Sequence, residues 1–168
     1  MPPPDEMPRN KPAIHRKTAR VLPVDRDGRV LLLHGWDPHH RDQPFWFTIG
    51  GAADPGESLR DAAARELYEE TRIAVEPAQL GPPIAEQTIE FSWGGHHIIQ
   101  EQVFYAVLAE SAEVSLEGLD QWEQATTDRY GWLAAEDLGA DERPAHPDIP
   151  DLIRAAAASV RREQAGRE

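Results

Sequence analysis

With 168 residues, the chain is long enough for one domain with a full hydrophobic core and too short for two well-packed ones. Its 30 acidic and 17 basic residues give a formal charge of −13, which excludes a general electrostatic attraction to nucleic-acid polymers or anionic membranes. The absence of cysteine excludes disulfides, thiolate zinc sites and cysteine nucleophiles. No apolar run approaches the roughly 20 residues that span a bilayer, and the N-terminus lacks an apolar secretory core, so we expect a soluble, cytoplasmic protein.

The chain divides into three parts by composition. Residues 1–13 are rich in proline and hold almost nothing to bury, which predicts a disordered leader. Residues 14–163 carry the apolar runs of a folded domain, and residues 164–168 form a short polar tail. Function is therefore expected in the middle part.

Short apolar runs predict the first strands. Residues 19–24 and 30–33 flank the turn-like stretch 25–28 and predict a hairpin. Residues 35–44 are polar and predict a loop. Residues 45–49 predict a brief strand that leads into a pair of glycines.

The clearest helix is predicted over residues 58–71, which are rich in Ala, Leu, Glu and Arg. Residues 84–93 and 98–108 then predict two longer strands, joined by Gly94 and Gly95. Strands on both sides of one helix indicate an α/β fold.

The C-terminal third predicts a loop, a strand and a helix. Residues 110–127 are expected to form an acidic loop, and residues 129–133 a strand. Residues 151–162 carry an apolar stripe, with Pro150 near the first turn, and predict the last helix. This order of elements predicts a mixed sheet between helices.

Three carboxylates share one face of the first helix. At about 100° per residue, Glu66, Glu69 and Glu70 fall within an arc of about 100° and are neighbours. Like charges at these spacings cost an isolated helix only a few tenths of a kcal/mol, so a solvated acidic face is a sufficient explanation for the helix alone. Arg65 would then be a surface partner of Glu69.

The glycine loop and this helix together follow a more specific spacing. The positions that define it are Gly51, Glu57, Arg65, Glu66, Leu67, Glu69, Glu70 and Ile73. The spacing resembles the Nudix box, G-x5-E-x7-R-E-U-x-E-E-x-G-U with U aliphatic, and departs from it at Arg72, where the family has glycine. The strand before Gly51 is similar to the family's strand into Pro-Gly-Gly, with Ile49 in place of proline. The resemblance implies a Nudix-like α/β/α sandwich with a central mixed β-sheet.

The resemblance also implies a metal site. Glu66, Glu69, Glu70 and the backbone carbonyl of Gly50 would bind Mg²⁺ or Mn²⁺, hard cations that prefer oxygen ligands. The cations would lie between the carboxylates and the phosphates of a substrate, which explains why an acidic helix follows the glycine loop. Among the catalytic residues, Arg65 would orient the glutamates, and Glu57 would stabilise the loop or help to position metal and water.

Residues outside the box are assigned less directly. Glu101, on a predicted strand, would supply a further metal ligand or the general base, with Glu90 and Glu86 as alternatives and an exposed strand glutamate as the simpler explanation. Two histidine pairs admit a transition-metal site, although adjacent strand residues point to opposite faces. The residues assigned to substrate binding are Trp36, Arg41, Phe45 and Trp46; Trp93 also flanks the expected cleft, and core packing is an alternative for the aromatic residues.

The implied function is that of a Nudix-type diphosphatase, or pyrophosphohydrolase. Water would attack phosphorus in the diphosphate linkage of a nucleoside triphosphate, ADP-ribose or a similar compound, and no nucleic-acid polymer or membrane is expected as a partner. A Nudix-type module that binds a nucleotide without cleaving it is the alternative, although all four box glutamates are kept. The family's isopentenyl diphosphate isomerases use a cysteine, which this chain lacks. The sequence leaves the substrate and the oligomeric state, including a homodimer, open.

Overall fold

The computed structural model describes residues 12–93, 96–109 and 113–167. Seven strands and three α-helices lie in these ranges, with short 3₁₀ turns at Pro77–Leu80 and Ala135–Asp137. The strands are β1 (Ile14–Val24), β2 (Val30–Asp37), β3 (His40–Phe47), β4 (Ile49–Ala52), β5 (Ala85–Trp93), β6 (His96–Leu108) and β7 (Thr127–Leu133). The helices are α1 (Leu59–Thr71), α2 (Gln121–Thr126) and α3 (Ile149–Ala165).

Strand β1 is the centre of a mixed sheet. It runs parallel to β6, from the pair Ile14 and Ile98 to the pair Val24 and Leu108. It is antiparallel to β4 and, at the hairpin, to β2. Strand β5 is antiparallel to β6, and β2 pairs antiparallel with both β3 and β7. The predicted mixed sheet is confirmed.

The core lies in two layers, one on each side of this sheet. Because successive side chains of a strand point to opposite faces, Leu22 packs with Ile153 of α3, whereas Val21 packs with Leu67 of α1. Helices therefore cover both faces, which is the α/β/α sandwich implied by the sequence.

The predicted hairpin over residues 25–28 is confirmed. Gly28 has a φ of 79°, and the Asp25 side chain accepts hydrogen bonds from the backbone amides of Asp27 and Arg29. Val24 and Val30 pair across the turn. The carboxylate satisfies backbone donors that the tight turn leaves unpaired.

Two predicted loops are wrong in part. Residues 35–44 belong mostly to β2 and β3, which pair from Asp37 with His40 onward, and the exposed half of β3 is polar because it faces solvent. Within residues 110–127, Asp120 caps the short helix α2. Helix α3 also extends beyond its predicted end, to Ala165. Local polarity does not separate loops from solvent-exposed strands and helices.

Some predictions fall outside the described residues. These are the leader up to residue 11, the Gly94–Gly95 connection and the side chain of Trp93. Over the ranges that are described, no helix is long and apolar enough to cross a membrane.

Candidate active site

Helix α1 carries the acidic residues in its last two turns. It begins at Leu59 after the N-cap Ser58, whose hydroxyl accepts a hydrogen bond from the Asp61 amide at 3.1 Å. Ala63 and Leu67 bury the opposite face. The C-terminal end of a helix carries partial negative charge, so carboxylates grouped there repel one another and favour a bound cation.

Arg72 ends this helix in the conformation that the family's glycine would adopt. Its φ and ψ are 65° and 14°, and its backbone amide donates to the Tyr68 carbonyl at 2.9 Å. Its guanidinium carbon lies 4.8 Å from the centre of the Tyr68 ring. A Cβ atom at Gly118 would come within 2.8 Å of that guanidinium carbon, so Arg72 is packed between a ring and a glycine. The departure from the box thus leaves the helix end unchanged.

The two glycines before α1 allow the loop to lie against its neighbours. Gly50 has a φ of 144°, and a Cβ there would lie 2.1 Å from the carbonyl oxygen of Ala19. A Cβ at Gly51 would lie 2.6 Å from Oε1 of Glu66. Ile49, which stands at the family's proline position, is fully buried. The backbone therefore runs directly beside the carboxylates of α1.

Arg65 binds three glutamates and the loop. Its Nε and Nη2 donate to the two oxygens of Glu57 at 2.8 and 2.9 Å. Its Nη1 donates to Glu66 at 3.1 Å and to Glu69 at 3.2 Å, and Nη2 also donates to the Ala52 carbonyl at 3.2 Å. This arrangement agrees with the orienting role expected of Arg65.

Glu57 is held in its charged form. The hydrogen bond from Arg65, together with one from the Asp54 amide, lowers the pKa of Glu57 to about 2. The same bond with Glu57 raises the pKa of Arg65. A carboxylate with so low a pKa is a weak proton acceptor at neutral pH, so its contacts suit a loop-stabilising role.

Glu66 and Glu70 lie in a less polar environment. Burial raises the pKa of Glu66, and it raises the pKa of Glu70 well above its usual range. Glu70 is 6% exposed, and its Oε2 accepts a hydrogen bond from the Gly50 amide at 2.8 Å. One amide donor does not offset the loss of hydration, so a cation beside Glu70 would be strongly favoured.

Glu123, which sequence reasoning missed, joins this group from α2. Its side chain is hydrogen-bonded to that of Glu70, and burial raises its pKa. Its Oε1 also accepts from the Asp120 amide at 3.2 Å, while the Asp120 side chain accepts from the Glu123 amide at 2.8 Å. This reciprocal capping box, D-x-x-E at residues 120–123, was the sequence signal that could have predicted α2 and placed Glu123 in its first turn.

The chemistry of these donors fits a hard divalent cation. A buried carboxyl group in contact with another carboxyl group needs a proton or a cation between them, and Glu70 makes that contact with half-buried Glu123. Carboxylates and the nearby Gly50 carbonyl are the oxygen ligands that Mg²⁺ and Mn²⁺ prefer. Over the described residues, three or more His, Asp or Glu side chains are nowhere arranged as a ready metal-binding cluster. Arg65 instead neutralises Glu66 and Glu69.

Glu101 of β6 pairs with Lys17 of β1. Its carboxylate is 3.7 Å from Nζ of Lys17, with both side chains more than half exposed at 55% and 68%. It lines a groove together with Leu59, the first residue of α1. Glu70 is 11 residues further along that helix (70 − 59), a rise of about 16 Å. None of the described hydrogen bonds or ion pairs joins Glu101 to the α1 carboxylates.

Two strand carboxylates pair with histidines at the surface. Glu90 lies 3.3 Å from Nε2 of His97, and Asp37 lies 3.8 Å from Nδ1 of His40. These isolated pairs do not form the predicted alternative, a transition-metal site, in the described part of the chain.

A cavity of about 330 Å³ lies beside the glycine loop. Phe45 and Phe47 line it, with ring centres 6.0 Å apart, and Arg20 lines the wall nearest the loop. The remaining lining residues are Thr48, Gln87, Ile89, Gln102, Phe104, Ala145, His146, Ile149 and Leu152. Aromatic walls with a few polar groups are typical of sites for ring-containing ligands.

Of the four residues assigned to substrate binding, this cavity includes Phe45. Trp46 is 5% exposed in the core, where its Nε1 donates to Glu142 at 2.7 Å and its ring lies 4.8 Å from that of His34. Trp36 is half-buried on β2, and Arg41 is exposed on β3. Those three residues are not among the lining residues.

Comparisons with known proteins agree with this geometry. The family model of the NUDIX domain matches residues 14–156. An RNA pyrophosphohydrolase from Novosphingobium aromaticivorans is 29% identical over 150 residues, which cover 83% of this chain and 83% of the relative. One from Rhodopseudomonas palustris is 32% identical over 101 residues, and the match spans 55% of this chain and 60% of the relative.

A solved structure of a NUDIX hydrolase has a similar fold. A MutT NUDIX hydrolase from Burkholderia pseudomallei superposes with a TM-score of 0.60 at 26% identity, covering 86% of this chain and 96% of the other. Similarity to pyrophosphohydrolases along most of the chain supports the predicted class of enzyme. Because the family match spans the whole sheet, α1, α2 and the first half of α3, the chain belongs to the Nudix family, as its box predicts.

Proposed function

We propose that this protein is a divalent-metal-dependent hydrolase that cleaves the diphosphate linkage of a nucleoside diphosphate derivative. The observation that carries the proposal is the contact between Glu70 and Glu123 beside the Gly50 loop. A buried carboxyl group in contact with a half-buried one, next to half-buried Glu66, is costly for a structural role alone and suited to a cation.

The residues proposed to hold Mg²⁺ or Mn²⁺ are Glu66, Glu69, Glu70 and the Gly50 carbonyl, with Glu123 from α2. When bound, such a metal neutralises phosphate charge and lowers the pKa of a coordinated water. Glu123 replaces Glu101 as our candidate for the carboxylate that completes the site or accepts a proton from water, because the structure brings Glu123 into contact with Glu70.

Arg65 and Glu57 are proposed to act through the other residues. Arg65 holds Glu66 and Glu69 from one side and the Ala52 carbonyl from the other, so it sets the distance between helix and loop. Glu57 keeps Arg65 in place through two hydrogen bonds. Both are positioning residues in this scheme.

The cavity is proposed to bind the ring of the substrate. Phe45 and Phe47 provide apolar and stacking contacts, and Gln87 and Gln102 are opposite each other on β5 and β6. Their amides can donate to and accept from the edge of a base. We therefore expect a nucleoside triphosphate or a nucleoside diphosphate linked to another group, with release of a nucleoside monophosphate.

The names of the relatives favour a second candidate substrate, RNA that carries a 5′-triphosphate. The chemistry at phosphorus would be the same. The formal charge of −13 argues against strong binding of the rest of such a chain, because attraction to RNA backbones depends on clustered cations.

The test is a hydrolysis panel. The protein is incubated with Mg²⁺ or Mn²⁺ and nucleoside triphosphates, ADP-ribose or short triphosphate-ended RNA, and the products are separated by anion-exchange chromatography. We expect cleavage of a diphosphate linkage that stops with excess chelator. Tight nucleotide binding without turnover under either metal would favour the sensor module, and preferred cleavage of monophosphate esters would contradict the mechanism.

A further inference from the structure

Arg20 connects the ring cavity with the glycine loop. It lies on β1 opposite Gly50 of β4, and it also lines the cavity. A Cβ at Gly50 would lie 2.9 Å from Cδ of Arg20, so the absence of a side chain lets the arginine lie flat against the loop. The same residue therefore contacts both the cavity and the loop.

The backbone uses only part of this guanidinium. Nη1 donates to the carbonyls of Thr48 and Gly50 at 3.3 and 3.2 Å. Nε is buried and has no partner among the described residues. Nη2 makes none of the described hydrogen bonds and is not among the fully buried unpaired atoms of the described residues. An unsatisfied buried donor costs about 1–3 kcal/mol, which a purely structural arginine would have little reason to bear.

The positive charge of Arg20 is likewise not neutralised by a close carboxylate among the described residues. The charges of Glu70 and Glu66 act on it, but neither carboxylate lies within ion-pair distance in the described structure. An arginine side chain stays protonated in proteins. A cationic group therefore stands between an apolar ring cavity and a group of anions.

We propose that Arg20 binds the phosphate group nearest the substrate's ring through Nη2, the donor that is neither fully buried nor bound to the Thr48 and Gly50 carbonyls. This inference rests on the proposed function and adds a requirement for the substrate, a phosphate attached directly to the ring-bearing unit. Because Nη1 holds Gly50, whose amide holds Glu70, the contact also links occupancy of the cavity to the position of a proposed metal ligand.

The test compares binding of a nucleotide and its nucleoside. A methylene-bridged analogue of the best triphosphate in the panel is titrated with Mg²⁺ into wild type, Arg20→Gln and Arg20→Lys by calorimetry, and the corresponding nucleoside is titrated by NMR. We expect Arg20→Gln to weaken binding of the nucleotide about 10- to 100-fold and to change the affinity for the nucleoside by no more than about twofold. Arg20→Lys should recover part of the loss, since it keeps one charged donor.

Arg16→Gln is the matched control. Arg16 is exposed on the same face of β1, four residues away (20 − 16), and does not line the cavity. Arg16→Gln should weaken nucleotide binding by less than about threefold, because it changes only the net charge of the protein.

Three results would overturn the inference. If the wild type hydrolyses the substrate but Arg20→Gln binds the nucleotide as tightly as wild type, the Arg20 contact is refuted and the proposed function is not. An equal loss for nucleotide and nucleoside would assign Arg20 to the shape of the cavity. A wild type that binds and cleaves no nucleotide would refute the proposed function itself, and the Arg20 contact with it. If Arg20→Gln does not fold, Arg20→Lys is judged by the same ratio of nucleotide to nucleoside affinity.

Discussion

The helix end at Arg72 permits a quantitative test of whether the box keeps its geometry. A non-glycine residue in the left-handed region costs about 1–2 kcal/mol, which Arg72→Gly would relieve. Two effects oppose this gain. Glycine makes the unfolded chain more flexible, which destabilises the folded protein by about 0.4–1 kcal/mol. Loss of the contact between the guanidinium and the Tyr68 ring costs about 0.5–1 kcal/mol at an exposed site. These terms nearly cancel, so we expect the free energy of unfolding to change by less than about 1 kcal/mol.

Arg72→Ala is the control that separates these terms. It also loses the contact with Tyr68, but it keeps a Cβ in the left-handed conformation, so the strain remains. We expect it to be less stable than wild type by about 0.5–1 kcal/mol, and less stable than Arg72→Gly by a similar amount.

The assay is urea unfolding followed by far-UV circular dichroism, in chelator, at neutral pH. Equal m-values for the three proteins would show that the comparison concerns stability and not compactness. A glycine variant that is less stable than the alanine variant would mean that α1 continues through Arg72 in solution, as glycine inside a helix costs about 1 kcal/mol. The placement of Glu69 and Glu70 in the last turn would then need revision.

Three further predictions concern the site. Glu69→Gln should lower the hydrolysis rate by orders of magnitude at saturating Mg²⁺ while the thermal midpoint stays equal or rises slightly; near-normal turnover would argue against the metal site. Glu123→Gln should reduce kcat much more than Glu101→Gln, and the opposite order would return the role to Glu101. Because the pKa of Glu57 is lowered to about 2, its pairing stabilises the fold above about pH 4.5 and is lost as pH falls towards 2. The stability gap between wild type and Glu57→Gln, from urea unfolding, should therefore narrow over that range, and a constant gap would refute the assignment.

The sequence alone was sufficient for the features that depend on neighbours along the chain. Helix α1 and the shared face of Glu66, Glu69 and Glu70 follow from residue type and from the helical repeat. Short apolar runs likewise predicted most strands, and the box spacing identified the family. Local spacing determines these features because the interacting groups are three or four residues apart.

The tertiary structure alone decided which distant residues meet that helix. Glu101 and Glu123 are both acidic and both follow the box, but strand pairing places Glu101 beside Lys17, whereas the capped helix α2 brings Glu123 to Glu70. No sequence pattern marked Arg20 as a site residue, because its contacts with Thr48 and Gly50 depend on the register between β1 and β4. Such contacts depend on sheet register and chain crossovers, which residue spacing does not encode, because the partners are separated by many residues and brought together only by packing of the whole domain.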